Sequence, residues 1–566
     1  MPFFNTLTRR DFIQRSLLGG AGLGLAALSN VPPFAARALA EGTIGLNGKK
    51  LLFVFLRGGN DGLGSLVPVQ DSAYGSAIRS TTLIAKDGAT DYAATPGTAD
   101  FPTSPGGTAT FNYTSAIRLG NGFAALHPGL KFLAPVYNAG DLALIHRVGY
   151  PKQSRSHFDS QNYWENGLPS NNVSKEGILY RTIIESGLAS TSPLSAVSIQ
   201  SALPVLLRGS GAALTNLTDP LRYDLLGVPN SASTGDVKAT NALLSAQSTP
   251  FPDKKSRAFL NLQYDGLLKT LSIFSSINFT EAGNTYVDNE NTDGGSNPYY
   301  LFPTSQAKNG GYAFNGNSTA KYVVDQSGTA NSFFASLKAA ALILNHTDAV
   351  IAGTEMGGFD THDNQGGATG LHASLQQRIG WALYGLRKYF QIYGRTGSTP
   401  ATGAKCSWND VVVVLLTEFG RTTIENTSRG TDHAEAGVMF LAGGGVKGAG
   451  KSGRVTGIVG CHPGGTGAHP SDSVAWVPGP ANQAGGVDGS MFGVSDRYLK
   501  RSVDYRSVLG KVIRDHLGAT QNQLSRIIPG YANESQEHLL TGGTVTTPIE
   551  SSGVSTPIIG EPDVLV

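Results

Sequence analysis

Four short segments carry carboxylates and imidazoles at spacings that suit a divalent cation. Asp61 lies in Arg57-Gly58-Gly59-Asn60-Asp61-Gly62, and Asp360 and His362 lie in Gly357-Gly358-Phe359-Asp360-Thr361-His362. Glu418 and Arg421 lie in Thr417-Glu418-Phe419-Gly420-Arg421, and Asp432 and His433 in Gly430-Thr431-Asp432-His433-Ala434-Glu435. In an extended segment residues i and i+2 point the same way, so Asp360 and His362 can reach one ion together. Oxygen and imidazole donors without thiolate favour zinc first, with manganese, iron, magnesium or calcium as alternatives. The chain has only two cysteines, Cys406 and Cys461, which excludes a zinc site built on thiolates. The donors suffice for two ions, an arrangement suited to in-line displacement at phosphorus. Taken singly, each pair also fits a plainer role, a polar loop whose Asp and His bond backbone groups.

A fifth segment, Ser154-Arg155-Ser156-His157-Phe158-Asp159, reads as a loop entering a helix at Ser156 or His157, with Gly167 as its stop. Helix N-termini hold anions through free N–H groups and the dipole. Ser156 or His157 would then supply a nucleophile or hold an oxyanion, with Arg155 and Arg421 as anion-binding cations. An ordinary serine cap fits the same residues.

The elements that must position these groups are apolar runs. Strands are expected at 50–56, 142–148, 196–199, 205–207, 349–352, 411–416 and 438–441. Helices are expected at 130–138, 256–276, 332–345, 371–390 and 508–517, the last being the final scaffold helix. His372, at the start of the 371–390 helix, is expected to face solvent. Three of the strands run directly into loops bearing Asp61, Asp360 with His362, and Glu418, the edge where open α/β sheets bind ligands. Residues 85–120 read as a surface loop, 285–318 as an insertion or lid, and 541–566, rich in Thr, Ser, Pro and Gly, as a loosely ordered tail.

The N-terminus addresses compartment. Thr8-Arg9-Arg10-Asp11-Phe12-Ile13, a Gly/Ala/Leu stretch at 17–28 and Ala38-Leu39-Ala40 form a twin-arginine export signal over residues 1–40. The apolar stretch is shorter than the ~20 residues of a membrane span, so no stable span is expected. The mature chain is expected in the periplasm or outside the cell, with the twin-arginine translocase as its partner during export. Arg9, Arg10, Arg15 and Arg37 against Asp11 account for +3 of the chain's net +2, leaving the remainder at about −1. No basic field is left to argue for nucleic acid. An oxidising compartment would allow Cys406 and Cys461 to form one disulfide.

Taken with LLFVFLRGGNDGL, ALHPGL, ALIHRVGY, SRSHFDSQNYWENG, GGFDTHDNQ, VVVVLLTEFGRT, GTDHAEAGVMFLAGGGVKG and DYRSVLGKVIRDHLG, the chain resembles the exported family called domain of unknown function 1501. That family is a divergent branch of the alkaline phosphatase and sulfatase superfamily. The resemblance implies an α/β fold over 41–540, a large, mostly parallel sheet with helices on both faces. It implies that Asp61, Asp360, His362, Glu418 and His433 stand at metal-ligand positions. Glu418 occupies the place of an Asp that normally precedes a His, and Phe419 follows it here. The superfamily nucleophile's place falls on His157, with Ser156 beside it. The sulfatase pattern of Cys or Ser, then x-Pro-x-Arg, is missing, and Cys461-His462-Pro463 shares it only in part. Two functions follow as expectations: a metal-dependent hydrolase of small or polymeric phosphate or sulfate esters, or a non-catalytic metal- or anion-binding envelope protein descended from one.

Overall fold

A computed structural model describes residues 41–86, 115–119, 124–190, 194–218, 286–292, 298–303, 328–462, 472–476, 497–531, 544–546 and 557–566, apart from 43, 72, 213 and 500, together with 277 and 279. The export signal at 1–40, the helix at 256–276, most of the 85–120 loop and residues 304–318 of the insertion lie outside the described residues.

Among the described residues the large sheet has twelve strands. In chain order they are β1 (Lys50–Leu56), β2 (Leu142–Gly149), β3 (Ala196–Ile199), β4 (Thr215–Leu217), β5 (Ile351–Met356), β6 (Val411–Thr417), β7 (Gly437–Ala442), β8 (Ile458–His462), β9 (Ser473–Ala475), β10 (Val503–Asp504), β11 (Thr544–Thr546) and β12 (Pro557–Ile559). Their spatial order is β11-β12-β10-β2-β7-β6-β1-β5-β3-β4, with β8 against β2 and β9 against β8. Pairing is parallel except where β7 meets β6 and β2 and where β11 meets β12.

The continuous apolar runs of β1 and β6 follow from burial on both faces. Leu52, Val54 and Leu56 pack on one side with Leu337, Leu344 and Leu383, while Leu51, Phe53 and Phe55 pack on the other with Ile183, Val508 and Ile513. The helices around the sheet are, in chain order, α1 (Leu133–Asn138), α2 (His157–Asn166), α3 (Ile178–Glu185), α4 (Gly328–His346), α5 (Leu371–Ile392), α6 (Tyr505–Lys511) and α7 (Gln521–Ile527), with a π-helical turn, Val512–His516, that continues α6 and carries Ile513. The result is the expected mixed α/β architecture around a large, mostly parallel sheet. No helix among the described residues is long and apolar enough to cross a membrane.

Several expectations are corrected. Residues 205–207 form a single 3-10 turn after Pro204 rather than a strand, because a three-residue apolar run carries no period of its own. The 508–517 helix is not the last: α7 follows, opened by a capping box from Thr520 and Gln523. Cys406 and Cys461, whose pairing the sequence leaves open, are both buried free thiols. Cys406 points its sulfur at Leu344 O, 3.5 Å away, whereas Cys461 lies on β8. The described part of the 285–318 insertion is an antiparallel pair, Val287–Thr292 with Pro298–Tyr300, tied to α5 by Tyr384 Oη donating to Asp288 Oδ2 at 2.6 Å.

The tail is docked where it is described. Ile558, Ile559 and Val564 are fully buried. Glu561 accepts from Arg514 at 2.7 Å and from Tyr531 Oη at 2.6 Å. Average composition hides two short apolar runs, 557–559, which joins the sheet edge, and 564–566, whose Leu565 bridges Val446. Burying three aliphatic side chains is worth roughly 1.5–3 kcal/mol each as an upper bound. Deleting residues 557–566 is therefore expected to lower the thermal midpoint by several degrees. An unchanged melt by circular dichroism or calorimetry would contradict this docking.

Candidate metal centre

The carboxyl ends of β6, β1 and β5 lie side by side, as Thr417 pairs with Leu56 and Leu56 with Met356. The loops that leave them touch backbone to backbone. Gly58 has φ +117°, and a Cβ there would stand 2.4 Å from Asp360 N. A Cβ on Gly430 would stand 2.3 Å from the His362 carbonyl. Only glycine allows these approaches, and they bring the Asp360 and Asp432 segments onto one rim.

At that rim three imidazoles face one carboxylate. His362 Nε2 and His433 Nε2 each lie 3.1 Å from Asp360 Oδ1, and His157 Nε2 lies 3.4 Å from Asp360 Oδ2. His362 Nε2 and His433 Nε2 are 2.8 Å apart. His157, Asp360 and His433 each offer a ligand atom within 4.8 Å of the others. Asp360 and His362 have side chains 47% and 41% exposed, so the rim opens to solvent.

The other nitrogen of each ring is tethered. His157 Nδ1 donates to Glu418 Oε1 at 2.9 Å, His362 Nδ1 to Asp432 Oδ1 at 3.0 Å, and His433 Nδ1 to the Arg155 carbonyl at 2.8 Å. These acceptors have no proton to give, so each Nδ1 carries the hydrogen. In a neutral ring Nε2 is then a bare lone pair. Such lone pairs, converging on a carboxylate, are the arrangement in which proteins present histidine to a cation. Glu418 holds His157 above its ordinary pKa, whereas burial holds His433 below. Burial raises the Asp360 carboxyl, but Arg421, His433 and His362 outweigh it and bring it to about 2.

The expected site residues separate into distinct places. Asp360, His362 and His433 converge, and His157 joins them as a donor. Glu418 lies behind His157: its Oε1 accepts from Gly58 N at 2.7 Å and Gln161 Nε2 at 2.9 Å as well as from His157. Asp432 likewise holds His362, with Asn426 Nδ2 donating to the same oxygen at 2.8 Å. Asp61 lies outside this group, fully buried and paired with Arg79 at 2.6 and 3.0 Å.

Arg421, expected at an anion, is buried and turned inward. Its guanidinium donates to the carbonyls of Gly58, Gly59, Phe359 and Thr431 and to Asp360. Arg155 is exposed and lies over the Tyr498 ring at 4.0 Å. Ser156 caps α2, its hydroxyl accepting from Asp159 N at 3.5 Å, and Gly167 ends that helix in the left-handed region. The expectation that His372 faces solvent is overturned: it is 1% exposed and accepts from Gln376 Nε2 at 3.1 Å. Near the start of a helix, periodicity does not show which face a second layer covers. Gln365, the last residue of GGFDTHDNQ, and Arg79 complete the buried floor; the sequence assigned neither a role, and no motif marks Arg79.

Residues 312–475 match the model of a family described as "Protein of unknown function (DUF1501)", which supports placing the chain in that family. The matched span holds Asp360, His362, Glu418, Arg421, Asp432 and His433, but neither Asp61 nor His157. No curated protein and no solved structure matches the chain.

Beneath the rim, burial holds His127 down to about 3 and His372 to about 4, against an ordinary value of 6.5. Their folded values lie below the unfolded one, so their contribution to stability is full above pH 6.5. It is lost as pH falls toward 4 and then 3. Thermal melts should therefore show a midpoint that is flat above pH 7 and falls progressively from pH 6 to pH 4. A midpoint constant over that range would contradict uncharged burial of the pair.

Proposed function

We propose that the protein is a divalent-metal-dependent hydrolase of phosphate or sulfate esters, acting after export, in the periplasm or outside the cell. The observation that carries this reading is the shared orientation of His157, His362 and His433, each tethered through Nδ1 and turned by Nε2 toward Asp360. We infer a relation to the alkaline phosphatase and sulfatase superfamily. The inference is supported by the mostly parallel sheet and by donors at the carboxyl ends of adjacent strands.

His157, Asp360, His362 and His433 would hold the ion, and three imidazoles with one carboxylate fit zinc best among the common divalent ions. Bound there, the ion would polarise an ester oxygen and acidify water. Glu418 and Asp432 keep their imidazoles in the Nδ1–H tautomer, which leaves Nε2 free to donate its lone pair. Arg155, whose carbonyl holds His433 Nδ1, carries an exposed guanidinium over the Tyr498 ring that would meet the charged group of the substrate. The Ser156 hydroxyl is engaged as a helix cap, so water is the proposed nucleophile. Small and polymeric esters both fit a rim that opens to solvent.

Protein purified from the periplasm should carry metal, measured by elemental analysis, and should hydrolyse an aryl phosphate or aryl sulfate. Asp360→Ala and His433→Ala should each lose metal and turnover together. Metal without turnover on any ester would favour the alternative, a non-catalytic metal- or anion-binding envelope protein. Absence of metal after reconstitution would reject both metal readings and leave only an anion-binding protein.

A further inference from the structure

The buried carboxylate of Asp61 does not face the rim, yet it reaches both ligand-bearing loops. Arg79 Nη1 donates to Asp61 Oδ2 at 2.6 Å and Nη2 to Oδ1 at 3.0 Å, and both side chains are inaccessible to solvent. The same guanidinium donates to Thr423 O at 3.0 Å and Thr422 O at 2.9 Å. Asp61 Oδ2 also accepts from Gln365 Nε2 at 2.8 Å. At its other end Gln365 Oε1 accepts from Thr361 Oγ1 at 2.8 Å and from Thr431 Oγ1 at 2.6 Å.

This arrangement has one sense only. A carboxylate accepts and cannot donate, so it fixes which end of the Gln365 amide faces it. The amide oxygen must then face the two threonines, and both hydroxyls must point at it. Thr361 stands between Asp360 and His362, and Thr431 directly precedes Asp432 and His433. Gln365, Thr361 and Thr431 are all buried, with the Thr431 N–H donating to Thr361 O at 3.1 Å. The two ligand segments are therefore registered against each other through one amide.

We propose that Asp61, Gln365, Thr361 and Thr431 form a positioning relay that sets the spacing of Asp360 and His362 against His433, with Asp61 acting as anchor and not as ligand. The relay rests on the metal reading given above. Thr361→Val and Thr431→Val keep shape and remove only the hydroxyls, while Thr361→Ser and Thr431→Ser restore them.

The test measures zinc affinity by competition with a chromogenic chelator, the visible spectrum of the cobalt-substituted protein, and the melt of the metal-free protein. The double valine variant should bind zinc about 10–100-fold more weakly, the range seen when groups behind metal ligands are removed. Its cobalt spectrum should change, and the double serine variant should return both readouts toward wild type. Wild-type-like affinity and spectrum in the double valine variant would overturn the relay and leave the metal centre standing. So would a lowered metal-free melt with no change in affinity, since that is a merely structural role. A wild-type protein that binds neither ion would remove the metal centre and the relay with it.

Discussion

The buried guanidinium of Arg421 is the tie on which the rim depends. It sits where three chain segments meet and donates to Gly58 and Gly59 after β1, to Phe359 and Asp360 after β5, and to Thr431 before β7. Loops at a strand end have lost their ladder partners, and each buried carbonyl must find a donor. One planar cation answers four carbonyls and a carboxylate at once, with Nη2 shared among Gly58, Phe359 and Asp360, which a lysine could not do. The charge is neutralised locally by Asp360, so removing either partner would leave the other poorly compensated. The position of Asp360 is thus an outcome of backbone satisfaction, before any ligand is considered.

Around that fixed carboxylate, the imidazoles are held by acceptors drawn from three different places. Glu418 comes from the end of β6, Asp432 from the loop before β7, and the Arg155 carbonyl from the approach to α2. Each tether costs conformational entropy when its side chain is ordered. Much of that ordering is done in the fold, since Glu418 is wholly buried and held by Gly58 N–H and Gln161 as well. Phe419 packs against two of the rings, 4.9 Å from His157 and 4.8 Å from His433 between centroids. A phenylalanine there supplies an apolar wall beside the two imidazoles.

Much of the fold was legible because its signals are local and strong. The runs at β1 and β6 are too apolar for anything but strands covered on both faces, and Ser156 and Gly167 mark the limits of α2 through cap chemistry. Asp360-x-His362 was legible as a pair because extended backbone fixes the direction of its side chains. What spacing does not encode is the partner of each donor's remaining atoms. Asp61 and Asp360 look alike in sequence, each an acid in a glycine-bearing turn after a buried strand. Only the tertiary structure gives Asp61 to Arg79 and leaves Asp360 at the surface. His157 read as a nucleophile's place because position along α2 was visible, while its contact with Glu418, 261 residues away in sequence, was not. The 557–566 segment was misread for the opposite reason, since composition was averaged over residues of which only a few meet the sheet.

The same distinction orders the site in depth. Asp61, Arg79 and Gln365 are inaccessible, Thr361 and Thr431 lie just above them, and Asp360 and His362 are nearly half exposed. A buried polar layer is stable only when every member is satisfied, and then it specifies one arrangement strongly. An exposed layer above it is free to exchange water for a ligand. Placing satisfied, charged hydrogen bonds below and imidazole nitrogens gathered around Asp360 above gives a rigid floor with a solvent-facing surface. Three loops without regular structure thereby acquire the precision that strands and helices ordinarily supply.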